Sequence, residues 1–181
     1  VIIGNPPYLE LRQVEYTPRG FSTINSGAIH AMCIERSADI LNVSGAISMI
    51  VPLALVSTQR MTIVQRVIEN NAHTWYANFA WRPGKLFDTV NRALTIYVSL
   101  RGSGNFFTCS TNYQKWNSDA RNDLIPTMAY CGVIRDRLSF WVPKLGQCTE
   151  QSILFKLLSS QTHLDNFIGQ SGHIIYYRTT G

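Results

Sequence analysis

Charged residues and long apolar runs are both scarce in this chain of 181 residues. Charged residues make up 15% of the chain and hydrophobic residues 45%, which excludes wholesale disorder and predicts a sizeable core. The longest apolar stretch, residues 46–56, is interrupted by Ser48 and Pro52 and falls short of the roughly 20 residues that a membrane span requires. The four cysteines have no close pairing. We therefore expect no disulfide framework and no metal site, and a reducing, cytoplasmic compartment fits.

Basic residues outnumber acidic ones, with 16 Lys and Arg against 11 Asp and Glu and a net charge of +5. This balance mildly favours a polyanionic partner such as nucleic acid, although many basic proteins bind none. The chain has no initiator Met and no signal stretch, and it opens inside an apolar, β-branched segment at residues 1–3. We therefore expect it to be a fragment of a longer protein.

Hydrophobic periodicity predicts alternating strands and helices over residues 1–101. The predicted strands are residues 1–3, 46–51, 74–81 and 93–100, and the predicted helices are residues 26–41 and about 58–69. The first helix carries an inward stripe of Ala31, Ile34, Ala38 and Leu41. The second has Met61, Val64 and Ile68 inward, with Ser57 or Thr58 as its cap. The alternation indicates an α/β fold with a mostly parallel sheet.

Three further expectations concern single segments. Residues 1–3 and 46–51 are apolar nearly throughout, which is typical of strands buried on both faces, and we expect the two to be central neighbours. Residues 9–26 are polar and predict a mobile loop. Residues 102–181 predict a mixed α/β extension, with strands at 106–111 and 174–178 and helices at 118–125 and 149–159.

The tetrapeptide Asn5-Pro6-Pro7-Tyr8 follows the first strand directly. Its two prolines exclude a helix, so it must be a loop. In an open α/β sheet, loops at the carboxyl ends of strands form the ligand site. We therefore expect Tyr8 to be exposed at the end of the first strand, close to the loop that carries Phe87.

The tetrapeptide resembles motif IV of the amino-methyltransferases, and the order of later features agrees with that family. Residues 33–36 fall in a helix, Ile50-Val51-Pro52 ends a strand, and Leu86-Phe87 precedes the strand residues 95–98. The resemblance covers about residues 1–101. It implies that these residues are the C-terminal half of a class I S-adenosylmethionine-dependent methyltransferase domain, which has a Rossmann-like α/β fold.

The resemblance also implies a role for each motif residue. The side-chain oxygen of Asn5 and the backbone oxygen of Pro6 would accept hydrogen bonds from an adenine N6 amine and favour a more nucleophilic nitrogen. Tyr8 would stack on a base flipped out of the duplex, and Pro7 would stiffen the loop. Phe87 would contact the flipped base from another side. His30, early in the following helix, is interpreted as structural.

S-adenosylmethionine is the cofactor that the resemblance implies, but the sequence shows no suitable glycine loop. Gly102-Ser103-Gly104 precedes strand-like residues where a helix is needed, and residues 167–172 have only nine residues after them. We therefore expect the main cofactor motifs to lie upstream. We also expect the chain alone neither to bind S-adenosylmethionine tightly nor to methylate DNA.

This order of motifs resembles the adenine-specific DNA methyltransferases of restriction–modification systems. It implies double-stranded DNA as the substrate, restriction or specificity subunits or domains as partners, and no membrane. Residues 102–181 would lead towards a target-recognition domain. Five cations, at Arg12, Arg19, Arg82, Lys85 and Arg92, flank the expected cleft and are candidates for phosphate contacts, although a solvated surface is the simpler interpretation of any single one.

Two alternatives to a DNA adenine methyltransferase stay open. The same tetrapeptide serves enzymes that methylate a glutamine side chain of a release factor or a guanine of ribosomal RNA. The chain is alternatively a non-catalytic DNA-specificity module that kept the fold.

Overall fold

Six strands form one mixed sheet in the computed structural model, which describes residues 1–135 and 141–162. The strands are β1 (Ile2–Gly4), β2 (Ala46–Pro52), β3 (Ala72–Phe79), β4 (Leu94–Arg101), β5 (Thr108–Gln114) and β6 (Tyr130–Val133). The helices are α1 (Ile29–Ile40), α2 (Ala54–Ser57), α3 (Thr62–Glu69), α4 (Arg121–Leu124) and α5 (Cys148–Leu158). Short 3-10 helices lie at Leu11–Gln13, Ser22–Ser26, Gln59–Met61 and Ser118–Ala120. The α/β class is as the sequence predicts.

The strand order is β1-β2-β4-β3-β5-β6, and most neighbours are antiparallel. Strand β1 is parallel to β2, and β3 is parallel to β5, but β4 runs antiparallel to both β2 and β3. The prediction of a mostly parallel sheet is therefore wrong. The reason is that β4 follows β3 without a crossover helix, so the two strands run in opposite directions. Strand β4 is also inserted between β3 and β2, and it is antiparallel to both.

The main core lies between one face of the sheet and helices α1 to α3. Ala31, Ile34 and Ala38 of α1 are buried with Leu41 packed beside them, which confirms the predicted stripe. Met61, Val64 and Ile68 are buried as predicted. These side chains pack on the buried positions of the sheet, which include Ile47, Met49, Val51, Tyr76 and Tyr97.

The opposite face of the sheet is only partly covered in the described residues. A small cluster of Ala77, Phe79, Trp116 and Leu124 covers it near the end of β3. Elsewhere Ile3 is 80% exposed and Leu100 41% exposed. Side chains of β2 are alternately buried and half-buried, so the prediction that both of its faces are buried is wrong.

Strand β1 is the edge of the described sheet, paired with β2 alone, and is not the central strand that we expected. Its pairing with β2 is as predicted. Ile2 packs against the main core, whereas the flanking Val1 is 93% exposed and Ile3 80% exposed.

The loop preceding α3 differs from the predicted capping arrangement. The Ser57 hydroxyl donates to Leu53 O at 2.7 Å and the Thr58 hydroxyl to Ala54 O at 2.9 Å. Both hydroxyls therefore bond one turn back along α2 and neither caps α3. Helix α3 instead continues from the 3-10 helix Gln59–Met61.

Beyond residue 101 the same sheet continues through β5 and β6. The predicted strand 106–111 is observed at Thr108–Gln114, and the two predicted helices are observed at residues 118–124 and 148–158. Arg135 donates to both carboxylate oxygens of Glu69, at 3.1 and 3.0 Å, and Val142 N donates to Val56 O at 2.8 Å. These contacts hold the extension against α2 and α3. The glycine-containing segment 167–172 and the predicted strand 174–178 lie outside the described residues.

Candidate active site

The motif and the loop that carries Phe87 emerge at the same edge of the sheet. Asn5-Pro6-Pro7-Tyr8 leaves the carboxyl end of β1, where Gly4 is aligned with Met49 of the parallel strand β2. The loop of residues 80–93 connects β3 to β4, and Leu94 at its end pairs with both Pro52 and Phe79. The carboxyl ends of β1, β2 and β3 therefore lie together, and both loops follow from them.

Tyr8 is held at this edge by a hydrogen bond and a cation. Its hydroxyl donates to Ile50 O at 3.2 Å, and the guanidinium carbon of Arg92 lies 5.9 Å from the centre of its ring. Burial raises the pKa of Tyr8, with Arg92 opposing the shift, so the phenol is neutral at pH 7. Tyr8 lies at the end of the first strand as expected, but it is half-buried and not exposed, because its hydroxyl reaches back to β2.

The other predicted site residues are more open. Asn5 and Pro7 are exposed, Pro6 is half-buried, and Phe87 is half-buried in the loop of residues 80–93. The backbone oxygen of Phe87 accepts a hydrogen bond from Val90 N at 3.2 Å. Phe87 thus lies at the same edge as the motif, but no ring contact joins it to Tyr8 in the described part of the chain.

The segment after the motif is tied to the rest of the fold by an ion pair that spans 50 residues. Arg60 donates to both oxygens of Glu10, at 2.6 and 2.8 Å, and to Ser26 O at 2.9 Å. The hydrogen bond from Arg60 lowers the pKa of Glu10, so the pair is ionised at neutral pH. The backbone adds Leu11 N to Gly27 O at 2.8 Å. The polar loop that the sequence predicts as mobile is therefore anchored at its start and its end.

Glu35 of α1 orders the later part of this loop. Its carboxylate accepts hydrogen bonds from the backbone N–H groups of Ser22 and Thr23, both at 2.8 Å. Burial of the carboxyl opposes ionisation, but these hydrogen bonds outweigh it and lower the pKa of Glu35. A carboxylate at the start of a 3-10 helix satisfies donors that would otherwise lack partners. The sequence offers no local signal for this contact, because the partners are 12 and 13 residues apart.

His30 is buried beside this anchored loop. It is 3% exposed, and neither ring nitrogen has a hydrogen-bond partner among the described residues. Burial lowers the pKa of His30 to about 4, while the charge of Glu10 opposes this and those of Arg60 and Arg92 reinforce it. The imidazole is therefore neutral at pH 7.

The glycine segment after β4 does not fit a cofactor cradle. Gly102-Ser103-Gly104 lies between β4 and β5 and is followed by a strand, whereas an anion-binding glycine loop leads into the N-terminus of a helix. Over residues 1–135 and 141–162, no cluster of three or more His, Cys, Asp or Glu side chains is placed to hold a metal ion. No helix in those ranges has the length and apolar character needed to cross a bilayer.

Comparison with known proteins agrees with this architecture. Residues 1–84, which include the motif, match the model of the family described as Eco57I restriction-modification methylase. A search of curated proteins finds no significant match. The fold and the family match together define a protein that resembles the methyltransferases of restriction–modification systems.

Solved structures share the fold at low sequence identity. The DrdV–DNA complex matches with a TM-score of 0.58 and 14% identity, covering 78% of this chain and 18% of that chain. A nuclease-deletion mutant of the Type ISP restriction-modification enzyme LlaGI, in complex with a DNA substrate mimic, matches with a TM-score of 0.58, 15% identity and the same coverage. A structure of a type I restriction–modification system matches with a TM-score of 0.53 and 10% identity, covering 93% of this chain and 43% of that chain. The chain thus spans less than a fifth of the length of the first two.

Proposed function

We propose that the protein carrying this chain transfers a methyl group from S-adenosylmethionine to the N6 amine of adenine in double-stranded DNA, within a restriction–modification system. The observation that carries the proposal is the placement of Asn5-Pro6-Pro7-Tyr8 at the carboxyl end of β1, with Tyr8 held between Ile50 and Arg92. The match of residues 1–84 to a restriction–modification methylase family supports it.

The arrangement suits an exocyclic amine as the acceptor. Such a nitrogen is a poor nucleophile because its lone pair is delocalised into the ring. The side-chain oxygen of Asn5, exposed at the sheet edge, and the backbone oxygen of Pro6 accept from its two N–H bonds and hold it for attack on the methyl donor. Pro7 limits the motion of these acceptors. As the bond from nitrogen to the methyl carbon forms, the bond from that carbon to the sulfonium sulfur breaks, and the methylated amine then loses a proton to solvent.

The base reaches these acceptors only when it is out of the helical stack, since the duplex hides the amine. The neutral ring of Tyr8, braced by its bond to Ile50 O, offers a face on which the base stacks. Phe87, on the neighbouring loop, contacts the base from another side. Double-stranded DNA is the proposed substrate, and restriction or specificity subunits or domains are the proposed partners. Residues 1–101 are assigned to catalysis and residues 102–181 to the approach to a target-recognition domain.

Replacement of Asn5 by alanine tests the proposal in the natural protein that carries this chain. Methyl transfer to unmethylated duplex DNA is followed with radiolabelled S-adenosylmethionine, and the methylated base is identified by mass spectrometry. Loss of one acceptor used in the transition state should lower turnover by about 10²-fold or more. Affinity for DNA should change far less, because phosphate contacts dominate it.

Asn42→Ala is the matched control. Asn42 is an exposed asparagine that precedes the amino end of β2, so it lies at the opposite end of the strands from the motif. It should leave turnover unchanged. Full activity of the Asn5 variant would remove this residue from the mechanism. DNA binding without methylation by the wild type would indicate a specificity module, and a methylated glutamine or guanine would indicate one of the other amino-methyltransferases.

A further inference from the structure

A polar cavity of about 370 Å³ lies beside the loop of residues 80–93. Its lining residues are Pro83, Lys85, Asp88, Trp116 and Arg121. The first three belong to the loop that also carries Phe87 and Arg92. The other two come from the segment that follows β5, which lies in the extension. The cavity therefore joins the proposed catalytic half of the chain to the extension.

The two cations of this cavity are held by neutral partners. Lys85 Nζ donates to Asn91 Oδ1 at 2.5 Å, and Arg121 Nη2 donates to Leu86 O. In residues 1–135 and 141–162, the ion pairs are Arg60–Glu10 and Arg135–Glu69, so neither Lys85 nor Arg121 is neutralised by a carboxylate. Asp88 is the one acidic residue of the lining, which leaves the cavity with a net positive charge.

The wall behind these cations is tightly packed. Trp116 is 6% exposed and meets the ring of Phe79 edge-on, with the ring centres 5.9 Å apart. Gly84 N donates to Trp116 O at 2.7 Å, and a Cβ atom at Gly84 would lie only 2.6 Å from Trp116 Nε1. This close approach requires glycine and locks the loop onto the segment after β5. Lys85 and Arg121 are thus presented from two segments that are fixed relative to each other.

From these observations, and resting on the proposed function, we propose that Lys85 and Arg121 bind a backbone phosphate of the substrate DNA beside the flipped base. A lysine and an arginine without carboxylate partners, around a polar cavity, form a site for an oxyanion. The same loop carries Arg92, which lies over the ring of Tyr8, so a phosphate held here belongs to the strand near the target nucleotide. Phosphate contacts of this kind set the register of the DNA without reading its sequence.

The salt dependence of DNA binding by the natural protein tests this site. Fluorescence anisotropy with a labelled duplex gives the affinity at several salt concentrations, for the wild type and for the variants Lys85→Gln and Arg121→Gln. Each phosphate contact that is lost should reduce the slope of log K against log salt by about 0.9. If both cations hold the same phosphate, the double variant Lys85→Gln/Arg121→Gln should lose one phosphate contact, so its slope should be about 0.9 less steep than that of the wild type.

Charge-retaining variants separate a phosphate contact from a structural role. Lys85→Arg and Arg121→Lys should keep the wild-type slope, although Arg121→Lys loses the planar donor fork. Arg66→Gln is the control, since Arg66 is exposed on the outer side of α3, and it should also keep the slope. An unchanged slope in the double glutamine variant would overturn the site, since each single variant keeps one of the two cations. An equal loss in Arg66→Gln, or a loss in the charge-retaining variants, would overturn it as well.

Methylation by the same preparations keeps this site distinct from the proposed function. Adenine methylation by the wild type, with slopes that do not move in the glutamine variants, would overturn the phosphate site alone. A reduced slope in those variants, without adenine methylation by the wild type, would support the phosphate site and refute the activity. Absence of DNA binding by the wild type would overturn both.

Discussion

Acidification should destabilise the fold through His30, because its buried imidazole is neutral and has no described hydrogen-bond partner. Burial lowers the pKa of His30 from 6.5 to about 4 in the folded chain. Between these two pH values the unfolded chain binds a proton that the folded chain does not. The contribution of His30 to the free energy of unfolding is therefore complete above pH 6.5 and is lost as the pH falls towards 4.

The size of the effect follows from the two pKa values. A difference of one pKa unit corresponds to about 1.4 kcal/mol, so the change from 6.5 to about 4 amounts to about 3 kcal/mol. That is a large share of the total stability of an ordinary domain, which is about 5–15 kcal/mol. The pKa values of Glu10 and Glu35 are also lowered, and their contributions are lost as the pH falls further below the ordinary carboxyl range.

The comparison of wild type with His30→Leu isolates the histidine. Urea unfolding, followed by tryptophan fluorescence, gives the free energy of unfolding at pH 8, 7, 6 and 5. Leucine is apolar, has a similar volume and favours helix, so the variant should be as stable as the wild type at pH 8 or more stable. The wild type should lose stability between pH 6.5 and 5, whereas the variant should change little there. Parallel pH profiles for the two proteins would refute a buried neutral His30.

Two further perturbations test contacts described above. Tyr8→Phe keeps the ring but loses the bond to Ile50 O, so it should cost about 0.5–1.5 kcal/mol of transition-state stabilisation, whereas Tyr8→Ala should cost a further 1–3 kcal/mol or so of base stacking. Steady-state methylation rates measure both, and equal losses in the two variants would exclude stacking. Arg135→Met removes the bonds to Glu69 and to Trp141 O and should lower the free energy of unfolding by about 2–4 kcal/mol. Urea denaturation measures this change, and an unchanged midpoint would show that the extension docks without this arginine.

Local periodicity accounts for most of the elements that the sequence predicts. The stripe of α1 and the buried side of α3 repeat within a few residues and need no knowledge of distant partners. Strand order and direction depend on which strands meet. The apolar run of residues 93–100 has the same pattern whether it runs parallel or antiparallel to β2. The sequence therefore gave no basis for the insertion of β4 between β2 and β3.

The part of the candidate site that belongs to the motif and to the segments in the expected order could be predicted from the sequence. The order of segments places Asn5 and Phe87 at one sheet edge, and Arg92 is among the cations predicted to flank the cleft. Arg121 was missed because it lies in the extension, outside the resemblance. The anchors of the loop after the motif were missed because an acidic or basic residue does not indicate its partner. Arg60 and Glu10 are 50 residues apart. The same applies to the contact that holds the extension, since Arg135 and Glu69 are 66 residues apart.

The wide spacing of these anchors has a consequence for how the motif acquires its shape. The bond from Tyr8 spans 42 residues and the ion pair of Glu10 spans 50. During synthesis, the motif is therefore made long before the residues that hold it, and closing such long loops costs entropy before any contact repays it. We expect the motif to stay unstructured on the ribosome until Arg60 has emerged. The acceptor site would then form well after its own residues have been made.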